Sequence, residues 1–327
     1  TDTACMLRFT LLRILHAVPL LIAVILVIFL MQQMIPGDPV QAMVGDFPVP
    51  QAFRDAIELR YRLNDPLYVR IWSYFANLAQ GDFGFSYHSQ RPVLELILER
   101  APRTILLASA GFAVAIPLGM VIGVLTGTTR RAGVDQAWTT TTLVLYAVPT
   151  FWLGQLMVLL FAVKLNWFPT QGMGPLLSQA KGLDWMLERL YYMALPVGAF
   201  AVHEAMRVAR IMRASVIDTL GQGYVVTARA KGLRRNTIIW RHILRNSSLP
   251  LVTIAGYAFG AALGGAVLLE TVFTWPGLGL LMIEAIRTSD NMTVMGVVIF
   301  SALAVIIMNF VVDVLYALID PRIRHGR

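Results

Sequence analysis

Uncharged apolar stretches recur along the chain, and each is close to the length of a helix that crosses a lipid bilayer. Five stretches contain no Asp, Glu, Lys or Arg, and they cover residues 14–31, 104–125, 137–163, 247–269 and 291–312. A helix needs about 20 residues to cross a hydrocarbon core of about 30 Å. The pattern therefore predicts five membrane-spanning helices.

A weaker sixth stretch covers residues 190–212. It has thirteen uncharged residues before His203 and Glu204, which is about 20 Å of helix at about 1.5 Å per residue. We interpret it as a sixth span whose inner end is sheltered by protein or faces water, because lipid does not tolerate such charges. The first stretch, 14–31, is longer than the apolar core of a signal peptide and has no A-x-A-like site after it, so we expect a retained helix.

Composition and charge support an integral membrane protein. Hydrophobic residues make up 57% of the 327 residues and charged residues 14%, a balance outside the range of soluble domains. With six spans both termini share one side, and that side receives sixteen of the 27 Lys and Arg residues. We therefore predict a multi-pass membrane protein with cytoplasmic termini. The net charge of +8 then reflects topology and a cytoplasmic partner, and does not favour nucleic acid binding.

The chain divides into parts of unequal character. Residues 1–31 form the amino terminus and the first span, 32–103 a small helical extracytoplasmic cap, and 104–327 a core of five helices. Within the cap, residues 50–63 and 66–79 each have apolar residues at helical spacing, with the turn sequence NDP between them. The single cysteine, Cys5, excludes an internal disulfide.

A basic loop, residues 213–248, lies between the fourth and fifth predicted spans. Glycines at 221, 223 and 232 predict two short helices, the second one ending at Gly232, and the next segment places Ile238, Ile239, Ile243 and Leu244 on one side. One interpretation is a basic helix held by anionic headgroups. The other is a docking helix for a soluble partner, which the small residues Ala228, Ala230 and Gly232 would let approach closely. The residue types leave both open.

Several sequence blocks resemble one family. They are MIPGDP at 34–39, GDFGFS at 81–86, RPVLELILERAPRT at 91–104, VPTFWLGQL at 148–156, WFPTQG at 167–172, ETVFTWPGLG at 270–279 and VDVLYALIDPRIR at 312–324, together with TARAKGL at 227–233 followed by LP at 249–250. Together they are similar to permeases of ABC importers, and more narrowly to the dipeptide, oligopeptide and nickel group. Val226 and Thr227 stand where that family's loop motif has Glu and its first Ala.

The resemblance implies an all-α, six-helix type I (MetI-like) permease bundle in a bacterial inner membrane. It implies a second homologous permease, two cytoplasmic ATPase subunits and an extracytoplasmic solute-binding protein as partners. It also implies that residues 224–232 form the coupling helix that sits in a groove of an ATPase subunit. The coupling residues would be Tyr224, Thr227, Ala228, Arg229, Ala230, Lys231 and Gly232.

Several sequence features argue against an ATPase site, a zinc protease site or another enzyme site in this chain. The sequence has no G-x-x-x-x-G-K-[ST] phosphate loop, so ATP and magnesium would be bound by the partner subunits, and we expect neither an enzyme nor a cofactor in this chain. HEAMR at 203–207 begins like a zinc protease helix, but Arg207 replaces the second histidine. The five histidines are scattered, which does not favour a membrane enzyme.

Polar and small residues within the spans have plainer interpretations. Glu204 and Arg207 are three residues apart and can pair along a helix, and we favour a structural pair over a substrate contact. For Asp313, near Asn309, we favour a structural polar contact over a proton relay. Gly256, Gly260 and Gly264 lie on one helical face and predict a close-packing seam, within the subunit or against a second permease.

The sequence therefore predicts the permease subunit of an ATP-driven importer of di- or oligopeptides that works by alternating access. A nickel-chelate or glutathione importer of the same family is the alternative. An ion-coupled secondary transporter is the alternative from another class, and it would need carboxylates near the membrane midplane and an inverted repeat.

Overall fold

The structure is a computed structural model, and it describes residues 2–34, 38, 40–41, 50–129, 131–175, 180–248, 251, 256, 258–262 and 266–319, without the side chains of 2–12, 14 and 315–319. The first part of the chain contains α1 (Asp2–Gln33), α2 (Gln51–Arg60), α3 (Leu67–Ala79), the strands β1 (Phe85–Ser86) and β2 (Arg91–Pro92), and α4 (Val93–Gly127). The strands pair antiparallel, with Phe85 opposite Pro92.

The second part is also helical. It contains α5 (Ala132–Ala147), α6 (Thr150–Met157) with a π-helical continuation (Val158–Lys164), α7 (Leu183–Leu220) and α8 (Gly223–Ala230). Residues 235–247 form α9, which has a π-helical middle at Ile238–Ile243. The chain then forms α10 (Val267–Val272), α11 (Leu278–Arg287) and α12 (Asn291–Ile319).

Three described helices are long and apolar enough to cross a membrane, at Leu15–Gln33, Val93–Gly127 and Asn291–Val314. A fourth span is possible where α5 and α6 meet, but the two helices are bent by 96°. The weak stretch 190–212 lies inside α7. Most of the predicted span 247–269 falls outside the described residues, so the six-span count stays a prediction.

The bend between α5 and α6 has a local cause. The stretch 137–163 is continuous in apolar character, yet α5 ends at Ala147 and Pro149 precedes α6. Proline has no amide hydrogen and disfavours helical geometry in the residue before it. Val148 accordingly has an extended conformation, with φ −70° and ψ 125°. Pro117 and Pro196, by contrast, lie inside continuous helices.

The chain forms two compact units. The first contains residues 1–104, 263–267 and 276–310, so it is larger than the predicted cap. Its core is a cluster in which Ile57, Val93, Ile97 and Met292 are buried. The buried Asp290, the residue before α12, accepts hydrogen bonds from the Ser86 hydroxyl at 2.5 Å, the Thr293 hydroxyl at 2.7 Å and the Thr293 amide at 3.2 Å. This carboxylate therefore caps α12 and fixes β1 to it.

The second unit contains residues 105–262, 268–275 and 311–327. Here α4 packs on α7 through three glycines spaced four residues apart, Gly119, Gly123 and Gly127. A Cβ atom added to Gly123 would lie 2.5 Å from the Cβ of Met212 and 2.8 Å from the Ala209 carbonyl oxygen. The backbones of the two helices are therefore close enough to exclude any side chain at this face.

The predicted seam of Gly256, Gly260 and Gly264 is described only in part. A Cβ atom on Gly256 would lie 2.0 Å from a Val312 methyl carbon, so Gly256 lies directly against α12 within the subunit. Gly260 is buried, and Gly264 lies outside the described residues.

Candidate functional site

The short helix α8 lies in the middle of the basic loop. Val225 and Ala228 are buried, whereas Tyr224 and Val226 are 41% and 57% exposed. The Thr227 hydroxyl donates to the Gly223 carbonyl within the helix, at 3.0 Å. One face of α8 is therefore attached to the bundle. The other, which we call the free face, is exposed, although the Tyr224 hydroxyl accepts a hydrogen bond from the Asn246 amide at 2.8 Å.

The attached face is held by an apolar cluster shared by three helices. Val225 and Ala228 join Met212 and Val216 of α7, and the members contributed by α9 are Ile238 and Ile243. Ile239 and Leu244 pack against the same cluster. The four α9 side chains that the sequence placed on one side thus all contribute to seating α8. Because this core is continuous, a displacement of α8 must also move α7 and α9.

The end of α8 is fixed by the backbone. Gly232 has φ +73°, and its amide donates to the Arg229 carbonyl at 2.9 Å while the Leu233 amide donates to the Ala228 carbonyl at 3.3 Å. This pair of hydrogen bonds with a left-handed glycine is a Schellman helix end. The position favours glycine because of its backbone conformation, since an added Cβ would have nothing within 4 Å.

The free face of the loop is basic. Arg229, Lys231, Arg234, Arg241 and Arg245 are exposed, and within the described part of the chain none of them forms an ion pair. Their charge is therefore available to a partner or a surface that carries negative charge.

The structure separates one predicted coupling residue from the others. Exposed positions are Tyr224, Thr227, Arg229, Ala230, Lys231 and Gly232. Ala228 is only 5% exposed and lies in the apolar cluster. Its small size therefore serves packing on the bundle, and a partner would contact the six exposed residues.

Two side-chain contacts that hold the loop region in place have no signal in the sequence. The Arg213 guanidinium, on α7, donates to both carboxylate oxygens of Asp135 at the start of α5, at 2.8 and 2.9 Å. The Arg235 guanidinium donates to the Thr128 carbonyl at 2.8 Å. The partners are 78 and 107 residues apart, so no local spacing could have paired them. These contacts join the beginning of the loop to the first turn of α5 and the start of α9 to the end of α4.

A second polar group lies at the break between α5 and α6. The Tyr146 ring stacks on His203 with centroids 5.4 Å apart, and the Arg210 guanidinium carbon lies 4.9 Å from the Tyr146 centroid. The pair expected from sequence forms, since Arg207 donates to Glu204. Asp313 is half-buried in α12. Among the described residues, no group of three or more His, Cys, Asp or Glu side chains could hold a metal ion.

Comparisons with known proteins cover almost the whole chain. The family described as binding-protein-dependent transport system inner membrane component matches residues 115–325, and its amino-terminal companion matches 6–108. The chain is 35% identical to the oligopeptide transport system permease protein AppB of Bacillus subtilis, over 96% of this chain and 98% of that protein. It is 36% identical to the glutathione transport system permease protein GsiC of Shigella boydii, over 98% of this chain and 100% of that protein.

Two further comparisons agree. A putative peptide permease protein of Brucella suis is 37% identical over 98% of this chain and 99% of that protein. Among solved structures, a chain of the MetNI methionine ABC transporter in an inward-facing conformation matches with a TM-score of 0.52 and 16% identity. That match covers 69% of this chain and 97% of the other, and it shows a shared fold.

Proposed function

Since the chain belongs to the family of inner membrane components of binding-protein-dependent transport systems, we propose that it is the permease subunit of an importer that moves peptides. Its MetI-like helical fold and its peptide-type relatives agree with the sequence prediction. The proposal adds cytoplasmic termini, six spans and an extracytoplasmic binding protein as solute donor.

The observation that supports this proposal most directly is that helix α8 has two different faces. Its free face is basic and its other face is embedded in a core shared with α7 and α9. A partner that binds α8 can therefore move the long helix α7 and the shorter helix α9 at once. To reverse a 1:99 ratio of two bundle states, that partner must favour one of them by about 5.5 kcal/mol.

The energy is supplied from outside this chain. The sequence has no phosphate-binding loop of the ATPase type, so ATP and magnesium would be bound and hydrolysed by two cytoplasmic ATPase subunits. A second homologous permease would complete the pathway. The exposed Tyr224, Thr227, Arg229, Ala230, Lys231 and Gly232 would then form the contact with one ATPase subunit.

The solute class rests on the relatives' names. One relative is named for oligopeptides and one for glutathione, at nearly equal identity. Glutathione is itself a small peptide, so it remains the second candidate within the same class. A nickel chelate is a weaker third candidate, because none of the relatives described above is named for nickel.

Reconstitution tests the proposal. The chain is assembled with its second permease and ATPase subunits in proteoliposomes, and uptake of labelled di- and tripeptides is measured with the binding protein, with and without ATP. ATP-dependent uptake that needs every subunit is expected. Vesicles that hold this chain alone and accumulate peptide on an ion gradient would instead establish a secondary transporter.

A further inference from the structure

The polar group at the α5–α6 break is placed in an unusual environment. It combines Tyr146 at the end of α5 with His203, Glu204 and Arg207 of α7. The His203 ring stacks on the Tyr146 ring and so lies beside the break. Backbone carbonyl groups at the end of a helix lack intrahelical partners, so the break adds polar backbone groups to these side chains.

This group has hydrogen-bonding capacity that the described residues leave unused. Arg207 pairs with Glu204, yet within the described part of the chain the buried Arg207 Nε and His203 Nδ1 have no hydrogen-bond partner. A buried donor without a partner costs roughly 1–3 kcal/mol. An ion pair that only stabilised the fold would gain nothing from an unsatisfied donor. In a site that receives a polar ligand, the same donor can bind the ligand.

The proposed six-span arrangement, in which residues 190–212 form one span, places this group within the membrane. His203 lies thirteen residues beyond Leu190, or about 20 Å into the sixth apolar stretch at about 1.5 Å per residue. The Glu204 and Arg207 side chains remain 14% and 27% exposed. Charged groups at such depth face a bundle interior or a water-filled cavity. The uncovered part of the pair therefore faces an aqueous path or a protein partner along one.

We infer that Tyr146, His203, Glu204 and Arg207 form a transit site that holds the charged ends of a zwitterionic solute. The inference rests on the proposed function, because peptides carry an ammonium and a carboxylate group. Glu204 would accept hydrogen bonds from the ammonium group, and the Arg207 guanidinium would donate to the carboxylate. The solute exchanges partners with the existing pair, so no net charge is added to a poorly solvated place.

Exchange also explains how such a site can release its ligand. Each new charge contact replaces the internal Glu204–Arg207 contact, so the net gain on binding is small. A transport path needs sites that bind strongly enough to admit a solute and weakly enough to release it. The ring of Tyr146, which stacks on His203 and carries the Arg210 guanidinium over it, would hold the His203 ring in place beside the ion pair.

The test compares free peptides with peptides blocked at one end. The full complex is reconstituted with the unchanged binding protein, using peptides that this protein is first shown to hold, either free, N-acetylated or C-amidated. Relative to the wild type, Glu204→Gln is expected to lower uptake of the free peptide about tenfold and to affect the N-acetylated peptide least. Arg207→Gln is expected to spare the C-amidated peptide in the same way.

Two controls separate this effect from damage to the fold. The double variant Glu204→Gln with Arg207→Gln leaves no unpaired charge, and it is expected to lose the preference for free over blocked peptides. Arg213→Gln breaks another ion pair of α7, with Asp135, and it is expected to reduce uptake of all three peptides by one common factor.

The outcomes distinguish a failure of the transit site from a failure of the proposed function. Equal loss for free and blocked peptides in the Glu204 and Arg207 variants would establish a structural pair and overturn the transit site, while peptide import itself stood. A wild-type complex that imports no peptide would overturn the proposed function and the transit site together.

Discussion

At the scale of single residues, Gly232 shows how the structure changes the meaning of a sequence feature. Its small size suggests close approach of a partner, which stays a prediction, and its φ of +73° gives a second and independent reason for glycine. For Ala228 the reverse holds, because its small size serves the interior of the bundle. The sequence shows only that both residues are small. The backbone conformation explains the small residue at Gly232, and the packed neighbours explain the one at Ala228.

Gly232→Ala is expected to destabilise the end of α8 by about 1–2 kcal/mol, because a side chain in left-handed geometry is strained. Coupling, measured as peptide imported per ATP hydrolysed in the reconstituted complex, should fall, while membrane insertion is retained. Gly232→Asn should lose less, since asparagine tolerates this geometry. Gly223→Ala is the matched control, because an added Cβ there meets nothing within 4 Å and its φ is not positive. Equal coupling in Gly232→Ala and Gly223→Ala would contradict the prediction.

Asp290 allows a second prediction at this scale. Asp290→Ala leaves the Ser86 and Thr293 hydroxyl groups without their buried acceptor and removes the cap of α12, so a loss of about 2 kcal/mol or more is expected. Asp290→Asn, which keeps one acceptor oxygen, should lose less. Thermal unfolding of the purified complex measures both, with the exposed Asp184 changed to Ala as the control. An unchanged unfolding temperature in Asp290→Ala would show that the network contributes nothing.

At the scale of elements, the periodic patterns predicted helices more reliably than they predicted neighbours. The glycines at 221, 223 and 232 predicted helix ends closely, since α7 ends at Leu220 and α8 covers Gly223–Ala230. The prediction of two short helices was wrong for the first one, because that segment is the end of the 38-residue helix α7. The continuous apolar stretch 137–163 concealed a break, because hydropathy measures solvent preference and is insensitive to the backbone effect of Pro149. Contacts such as Arg213 with Asp135 depend on the tertiary arrangement and leave no pattern along the chain.

The glycine seam of α4 also has a signal in the sequence. This signal is the G-x-x-x-G spacing of residues 119, 123 and 127, which residues 256, 260 and 264 share. Apolar stretches offer many such spacings. The sequence alone does not show which of them faces another helix.

The seam gives a prediction at this scale. Gly123→Ala places a methyl group 2.5 Å from the Met212 Cβ and 2.8 Å from a backbone oxygen, so α4 and α7 must separate, at a cost of about 1–3 kcal/mol. The thermal stability of the purified subunit in detergent should fall accordingly. Gly133→Ala, where nothing lies within 4 Å of the added atom, should leave it unchanged. Stability equal to the wild type in Gly123→Ala would mean that the two helices do not pack through this face.

At the scale of the whole molecule, the question left by the sequence is whether the basic loop lies on lipid or in a partner. The single native cysteine, Cys5, makes accessibility measurable, since Cys5→Ser gives a background without thiols. Thr227→Cys is on the free face of α8 and Ala228→Cys on the buried face. A soluble maleimide should therefore label position 227 and not position 228 in the isolated subunit.

Assembly then decides between the two interpretations. If α8 docks into an ATPase subunit, labelling of Thr227→Cys should fall at least tenfold when the ATPase subunits are added, in detergent and in lipid alike, because the contact is made by protein. Trp240→Cys, at a position of α9 that is 64% exposed, serves as the control for general shielding by the assembly. If α8 lies on headgroups, protection of position 227 should require anionic lipid and be insensitive to the ATPase subunits. That result would remove the mechanical link on which ATP-driven import by this chain depends.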